Sequence, residues 1–137
     1  MGRLLVVCLG GAIGSGARYL ASGWATRALP PGLPWGTVIV NVTGSFYIAV
    51  VMGLALRTAL VGPDLRLFLT TGIAGGYTTY SSFNWETLRL FQAGAYLLGA
   101  ANVALTVVLC AAGGLLGLAA VRGATRAMGR LLSRGED

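Results

Sequence analysis

The chain has 137 residues, 55% of them hydrophobic and only 10% charged, where an ordinary soluble domain carries about 25% charged residues. A water-soluble fold so poor in charge would leave large apolar patches exposed, so the composition excludes that class and points to lipid as the solvent. The net charge of +6 comes from ten arginines, with no lysine and no histidine. These arginines sit at segment ends and in the C-terminal tail, which argues against a nucleic-acid footprint, and the missing histidine removes the usual proton shuttle and the commonest metal ligand.

Four apolar segments follow one another, at residues 4–28, 35–56, 65–91 and 95–121. Each is close to the ~20 residues that a bilayer-spanning helix needs. The expected fold is an all-α integral membrane protein of four transmembrane helices, one domain over residues 1–137, with a short basic tail at 122–137. The first segment is too long and too glycine-rich for a signal peptide and contains Arg18, so it reads as a retained helix. Gly10, Gly11, Gly14 and Ser15 give it two small-xxx-small patterns, a face for close helix packing in a bundle or dimer. Arg18 follows that face at depth. It either snorkels to the interface or places positive charge at an anion vestibule. Cys8 and Cys110 sit singly in apolar runs, without metal-ligand spacing or a disulfide framework, and read as small packing residues.

In the second segment Thr37, Asn41 and Ser45 recur every four residues, one polar stripe on an apolar helix. In the fourth, Asn102, Thr106 and Cys110 repeat the spacing. One such stripe alone reads as helix–helix glue. Two matching stripes without a carboxylate read as a neutral hydrogen-bonding track for an ion.

The third segment is expected to break near its middle, where Gly75-Gly76 precede Tyr77-Thr78-Thr79-Tyr80-Ser81-Ser82, a poor continuous helix. Broken backbone at membrane depth persists only when buried in protein or lining a cavity. Carbonyls freed there can hold a cation, and the next half-helix offers its N-terminus to an anion. Tyr80 and Phe83 share a face beyond the break and read either as packing or as rings whose positive edges solvate a small anion. Glu86 reads as a surface-side partner, with Arg89 three residues on; a proton-coupling carboxylate is the other role open to it.

Arg3, Arg57, Arg66, Arg122, Arg126, Arg130 and Arg134 fall on one side of a four-span topology, Arg27 and Arg89 on the other, with Arg18 near it. Both termini are therefore expected in the cytoplasm. The four tail arginines, four residues apart, form a basic stripe that anchors to lipid headgroups if the tail is helical. A chain that inserts in both orientations should carry nearly balanced charge, so this bias favours pairing with a homologous, oppositely inserted partner over pairing with itself alone.

Gly10-Gly11-Ala12-Ile13-Gly14 with Arg18-Tyr19, then Gly36-Thr37-Val38-Ile39-Val40-Asn41-Val42-Thr43-Gly44-Ser45-Phe46, then the run from Gly72 to Glu86, resemble the CrcB/Fluc fluoride channels. The resemblance spans all four helices. It implies a passive fluoride-selective channel of the plasma membrane that relieves fluoride toxicity, built as an antiparallel dimer around a central structural sodium ion. By the same resemblance, the Gly75 and Thr78 carbonyls would hold that sodium. Asn41, Thr79, Tyr80, Ser82, Phe83, Asn102, Thr106 and Cys110 would line the fluoride path, with Arg18 at its vestibule. Three departures stand out: Tyr80 occupies a position where the family usually has Phe, Asn102 one where it has Tyr, and Thr106 with Cys110 continue a track usually made of Ser. No nucleophile, metal-ligand set or phosphate loop argues for catalysis. The alternatives are a small four-helix multidrug or cation exporter, whose first-helix carboxylate this chain lacks, and a non-conducting subunit of a membrane dimer.

Overall fold

A bilayer offers no water to backbone amides, so a chain of this composition must satisfy them within helices or a closed barrel. The computed structural model describes residues 1–134, with side chains through Arg130, and every regular element in it is helical. Helix α1 spans Gly2–Ala28 and α2 spans Trp35–Arg57. The third span is composite: α3 at Pro63–Leu67, a π-helical stretch at Phe68–Ala74, α4 at Gly75–Tyr77 and α5 at Tyr80–Gln92. Helix α6 spans Tyr96–Arg134. Together they make four helices with the third bent. Helices α1, α2 and α6 are each long and apolar enough to cross a membrane.

Local chemistry explains the ends. Leu29 leaves the helix in an extended conformation before Pro30-Pro31, as the residue preceding a proline tends to do. Pro63 opens α3, a position where a missing N–H costs nothing. Gly94 turns the chain into α6 at φ 73°, a backbone region that glycine enters freely.

The Gly75-Gly76 pair does not unwind the helix as expected. Gly75 has φ −63° and ψ −39°, ordinary helical values, and the chain becomes extended only at Thr78 and Thr79. The glycines serve close packing instead. A Cβ on Gly76 would run into the Gly11 carbonyl, and one on Gly14 into the Ile73 carbonyl. Gly10 and Gly72 meet the same way, a Cβ on Gly10 falling 2.8 Å from the Gly72 Cα. The small-residue face of α1 is thus used within the chain, against the third span.

Helices α2 and α6 run parallel along each other. Gly113 rides on the Val42 carbonyl, Gly117 on the Phe46 carbonyl, and Gly53 against Val121. The tail also departs from expectation: α6 continues through residues 122–134 as helix. Ala, Arg, Met and Leu in that stretch are good helix formers, and no proline stops them. At the same end of the bundle, Arg3 Nε lies 3.0 Å from Asp64 Oδ1, tying the start of α1 to the start of the third span.

Candidate functional site

Two residues, Thr78 and Thr79, carry the break, and their surroundings account for its polar groups. Asn41 of α2 clamps the backbone of Thr79 from both sides. Its Nδ2 donates to the Thr79 carbonyl at 3.0 Å, and its Oδ1 accepts from the Thr79 amide at 2.8 Å. The Thr79 hydroxyl caps α5, accepting from the Ser82 amide at 3.2 Å and donating to Ser82 Oγ at 3.0 Å. Thr78 turns its hydroxyl back to the Ala74 carbonyl at 2.9 Å, and its methyl sits where a Cβ on Gly44 would be. Tyr77 reaches Thr43 of α2, oxygen to oxygen at 2.9 Å. Positive potential at the α5 N-terminus is therefore aimed at the break, beside the hydroxyls of Thr79, Ser81 and Ser82.

Two concavities meet there. One, of about 640 Å3, is lined by Ser15, Arg18, Ser22, Thr37, Thr79, Ser82 and Glu86, among others. The second, a groove of about 700 Å3, is lined by Asn41, Ser45, Gly75, Thr78, Tyr80, Phe83, Thr106 and Cys110 together with apolar neighbours. The Asn41–Thr79 clamp stands at their junction, since Thr79 belongs to the first lining and Asn41 to the second. Of the residues singled out from sequence, the structure gathers Arg18, Thr79 and Ser82 in the first cavity. Asn41, Gly75, Thr78, Tyr80, Phe83, Thr106 and Cys110 gather in the groove.

Asn102 lies in neither lining. It is fully buried, at 0% exposure, and its Nδ2 donates to Thr87 Oγ1 at 2.8 Å. Thr87 in turn donates to the Phe83 carbonyl at 2.7 Å. This relay fastens the Phe83 turn of α5 to α6. Thr87 was not among the residues read from sequence, although its place one turn after Phe83, on the same face, marks it as a partner for the fourth-helix stripe. The Phe83 ring is buried, whereas Tyr80 is 77% exposed; the ring centroids are 5.6 Å apart, with the planes at 52°.

The stripe on α2 divides its labour. Thr37 donates to Glu86 Oε1 at 3.0 Å, Asn41 holds Thr79, and Ser45 returns to its own helix at the Asn41 carbonyl. Glu86 therefore does not pair with Arg89: its side chain is half-buried and turned toward α2, while Arg89 is exposed. Three buried polar atoms meet no protein partner, namely Glu86 Oε2, Asn102 Oδ1 and Thr106 Oγ1. Buried polar groups are almost always satisfied, so orphans clustered around one break are atoms available to something other than the chain. Among the described residues outside the helices, no backbone amide bonds to the Gly75 or Thr78 carbonyl, and no cluster of metal-ligating side chains occurs.

This arrangement can accept a small ion along a neutral, hydroxyl-rich path. The profile of the CrcB-like protein, Camphor Resistance (CrcB), family matches residues 5–118. The chain belongs to the CrcB family. Among its relatives is a protein of Anaeromyxobacter sp. (strain K), 58% identical over 110 residues, covering 80% of this chain and 87% of the relative. A protein of Anaeromyxobacter dehalogenans is 57% identical over 112 residues, covering 82% and 89%, and one of Sorangium cellulosum is 45% identical over 122 residues, covering 89% and 96%. All three are named fluoride-specific ion channels. The CrcB match runs through every element of the two concavities and ends before Arg122.

Proposed function

We propose that this CrcB-family chain is a fluoride-selective channel that lets fluoride leave the cell passively across the plasma membrane. The observation that carries the reading is the groove and cavity meeting at the Asn41–Thr79 clamp, lined by hydroxyls, amides and an aromatic pair and holding no lysine or histidine. Fluoride is small and tightly hydrated, so passage needs O–H, N–H and ring-edge donors close enough to replace that shell. Thr79, Ser82, Thr106 and the remaining Nδ2 hydrogen of Asn41 supply such donors, Cys110 a weak one, and Arg18 supplies the charge that gathers anions in the first cavity. Tyr80 and Phe83 would offer their ring edges. Asn102 would act through Thr87, holding the Phe83 turn in place. Fluoride enters acidified surroundings as neutral HF and dissociates inside. The membrane potential then drives the trapped anion out through an open path, at about 2.3 kcal/mol per charge per 100 mV.

A single copy leaves the groove open on one side, with Tyr80 exposed on it. We read this as half of a pathway closed by a second, antiparallel copy or a homologous subunit. The Gly75 and Thr78 carbonyls would hold a structural sodium ion there. Their oxygens suit a hard cation, and two per chain would need the partner's two to complete a set. Sodium would supply a fixed positive charge joining the two copies.

Fluoride efflux from liposomes holding the purified chain, read with a fluoride electrode beside a chloride control, tests the reading. Rapid fluoride loss with chloride retained is expected; equal permeation of both would end the selectivity claim. Flux absent from the chain alone and restored by a homologous subunit would identify a heteromeric channel.

A further inference from the structure

We propose that the last turns of α6, from Arg122 on, form a basic arm that binds anionic phospholipid headgroups and sets the direction in which the chain is inserted. The length of α6 comes first. Its 39 residues extend about 58 Å at ~1.5 Å per residue, against a hydrocarbon core of about 30 Å. Val121, packed on Gly53 of α2, is buried, and no residue from Arg122 to Arg130 is. Since α2 and α6 run parallel, Arg57, four residues beyond Gly53, stands level with Thr125. Arg122, Arg126 and Arg57 therefore share one depth at the end of the bundle, with Arg66 at the same end. Arg130 and Arg134 follow about one and two turns farther out.

The pattern is amphipathic. Steps of four keep the arginines on one side of the helix, while Val121, Ala124 and Met128 fall opposite. The side chains of Arg122, Arg126 and Arg130 are exposed; that of Arg134 lies outside the described residues. Asp64 at this end is engaged by Arg3, and Glu136 with Asp137 follow the stripe in the sequence. A dense row of arginines at headgroup depth matches the negative surface of a leaflet rich in anionic lipid, each worth a comparable electrostatic attraction within a Debye length.

The charge bias has a definite address. Within the family-matched residues 5–118, Arg57 and Arg66 lie at one end and Arg27 and Arg89 at the other, with Arg18 deeper. That core is balanced and gives insertion little direction. The imbalance comes from Arg3 and the arm, and charges added after a last span can decide topology. The inference uses only the membrane-spanning fold and stands whichever ion passes.

A C-terminal tag on the full-length chain, probed from each face of the membrane, provides the test. The natural chain should show the tag predominantly on the cytoplasmic face, and the R122Q/R126Q/R130Q/R134Q variant should show it on both faces in comparable amounts. A one-sided variant, or a two-sided natural chain, would overturn the orientation role. Native mass spectrometry of the unaltered chain, with equal phosphatidylglycerol and phosphatidylcholine offered, should show preferential retention of phosphatidylglycerol. Equal retention would overturn the headgroup role, even if the variant proved unstable.

Discussion

Asn41 commits both ends of its carboxamide to one backbone unit, Thr79, so its first duty is to hold the break open. Replacing it with Ala strands a buried amide and carbonyl, at about 1–3 kcal/mol. The Asn41→Ala protein should melt earlier and lose at least tenfold in fluoride efflux, measured in detergent and in liposomes. Thr106 gives a sharper contrast because its hydroxyl is buried without a protein partner. Thr106→Val keeps the shape and removes the orphan; stability should hold or rise by about 1 kcal/mol, while fluoride efflux falls. A variant both stable and fully conducting would mean that this hydroxyl does not serve the ion. Phe83→Ile tests the aromatic edge in the same assay, with strongly slowed flux expected. At this scale the sequence showed which residues matter better than what they touch. The polar stripes and the Thr79–Phe83 run were legible from spacing. Partners were not: Glu86 turned to Thr37 because α2 supplies a hydroxyl on its inward side, and Asn102 found Thr87 across a helix pair whose rotation no spacing rule predicts.

Helices α1, α2, α5 and α6 could be drawn from apolar runs, with ends close to those observed, because twenty apolar residues leave few alternatives to a spanning helix. Glycine was the ambiguous letter. Gly75-Gly76 reads equally as an unwinding signal and as a close-packing surface, and only the presence of α1 opposite decides for packing. The consequence is testable at Gly14. A Cβ there meets the Ile73 carbonyl and, at 2.9 Å, the Tyr77 amide, both backbone atoms that cannot step aside. Gly14→Val should abolish recovery of a monodisperse protein on size exclusion. Gly16→Ala meets nothing within 4 Å and should raise thermal stability by up to about 1 kcal/mol through helix propensity. If both variants behave alike, the packing role of the α1 glycines is wrong.

For the whole molecule, the distribution of exposure matters most. Large apolar side chains cover α1 and α6 on the outside, as lipid requires, but the groove carrying Tyr80, Thr106 and Cys110 opens on that same outside. A polar path cannot face hydrocarbon, so the functional unit must cover it. With sodium as part of that closure, exchange for N-methylglucamine on both sides should sharply reduce fluoride efflux, with sodium restoring it. Efflux indifferent to the cation would return the Gly75 and Thr78 carbonyls to a purely local role. Composition announced the membrane and the motifs announced the ion, but a covering partner leaves no mark in one chain beyond an exposed polar groove.

The π-helical stretch at Phe68–Ala74 makes chain length itself a specification. A π turn holds one residue more than an α turn, marked here by the Gly75 amide reaching the Thr70 carbonyl. Deleting a single residue in that stretch would let it rewind smoothly as α-helix, with little loss of helical content. Everything after it would then swing by about 100°, carrying Thr78 and Thr79 away from Asn41. Such a deletion should leave a folded membrane helix and an inactive pore, so natural variants of this segment are expected to exchange residues freely but to keep their number.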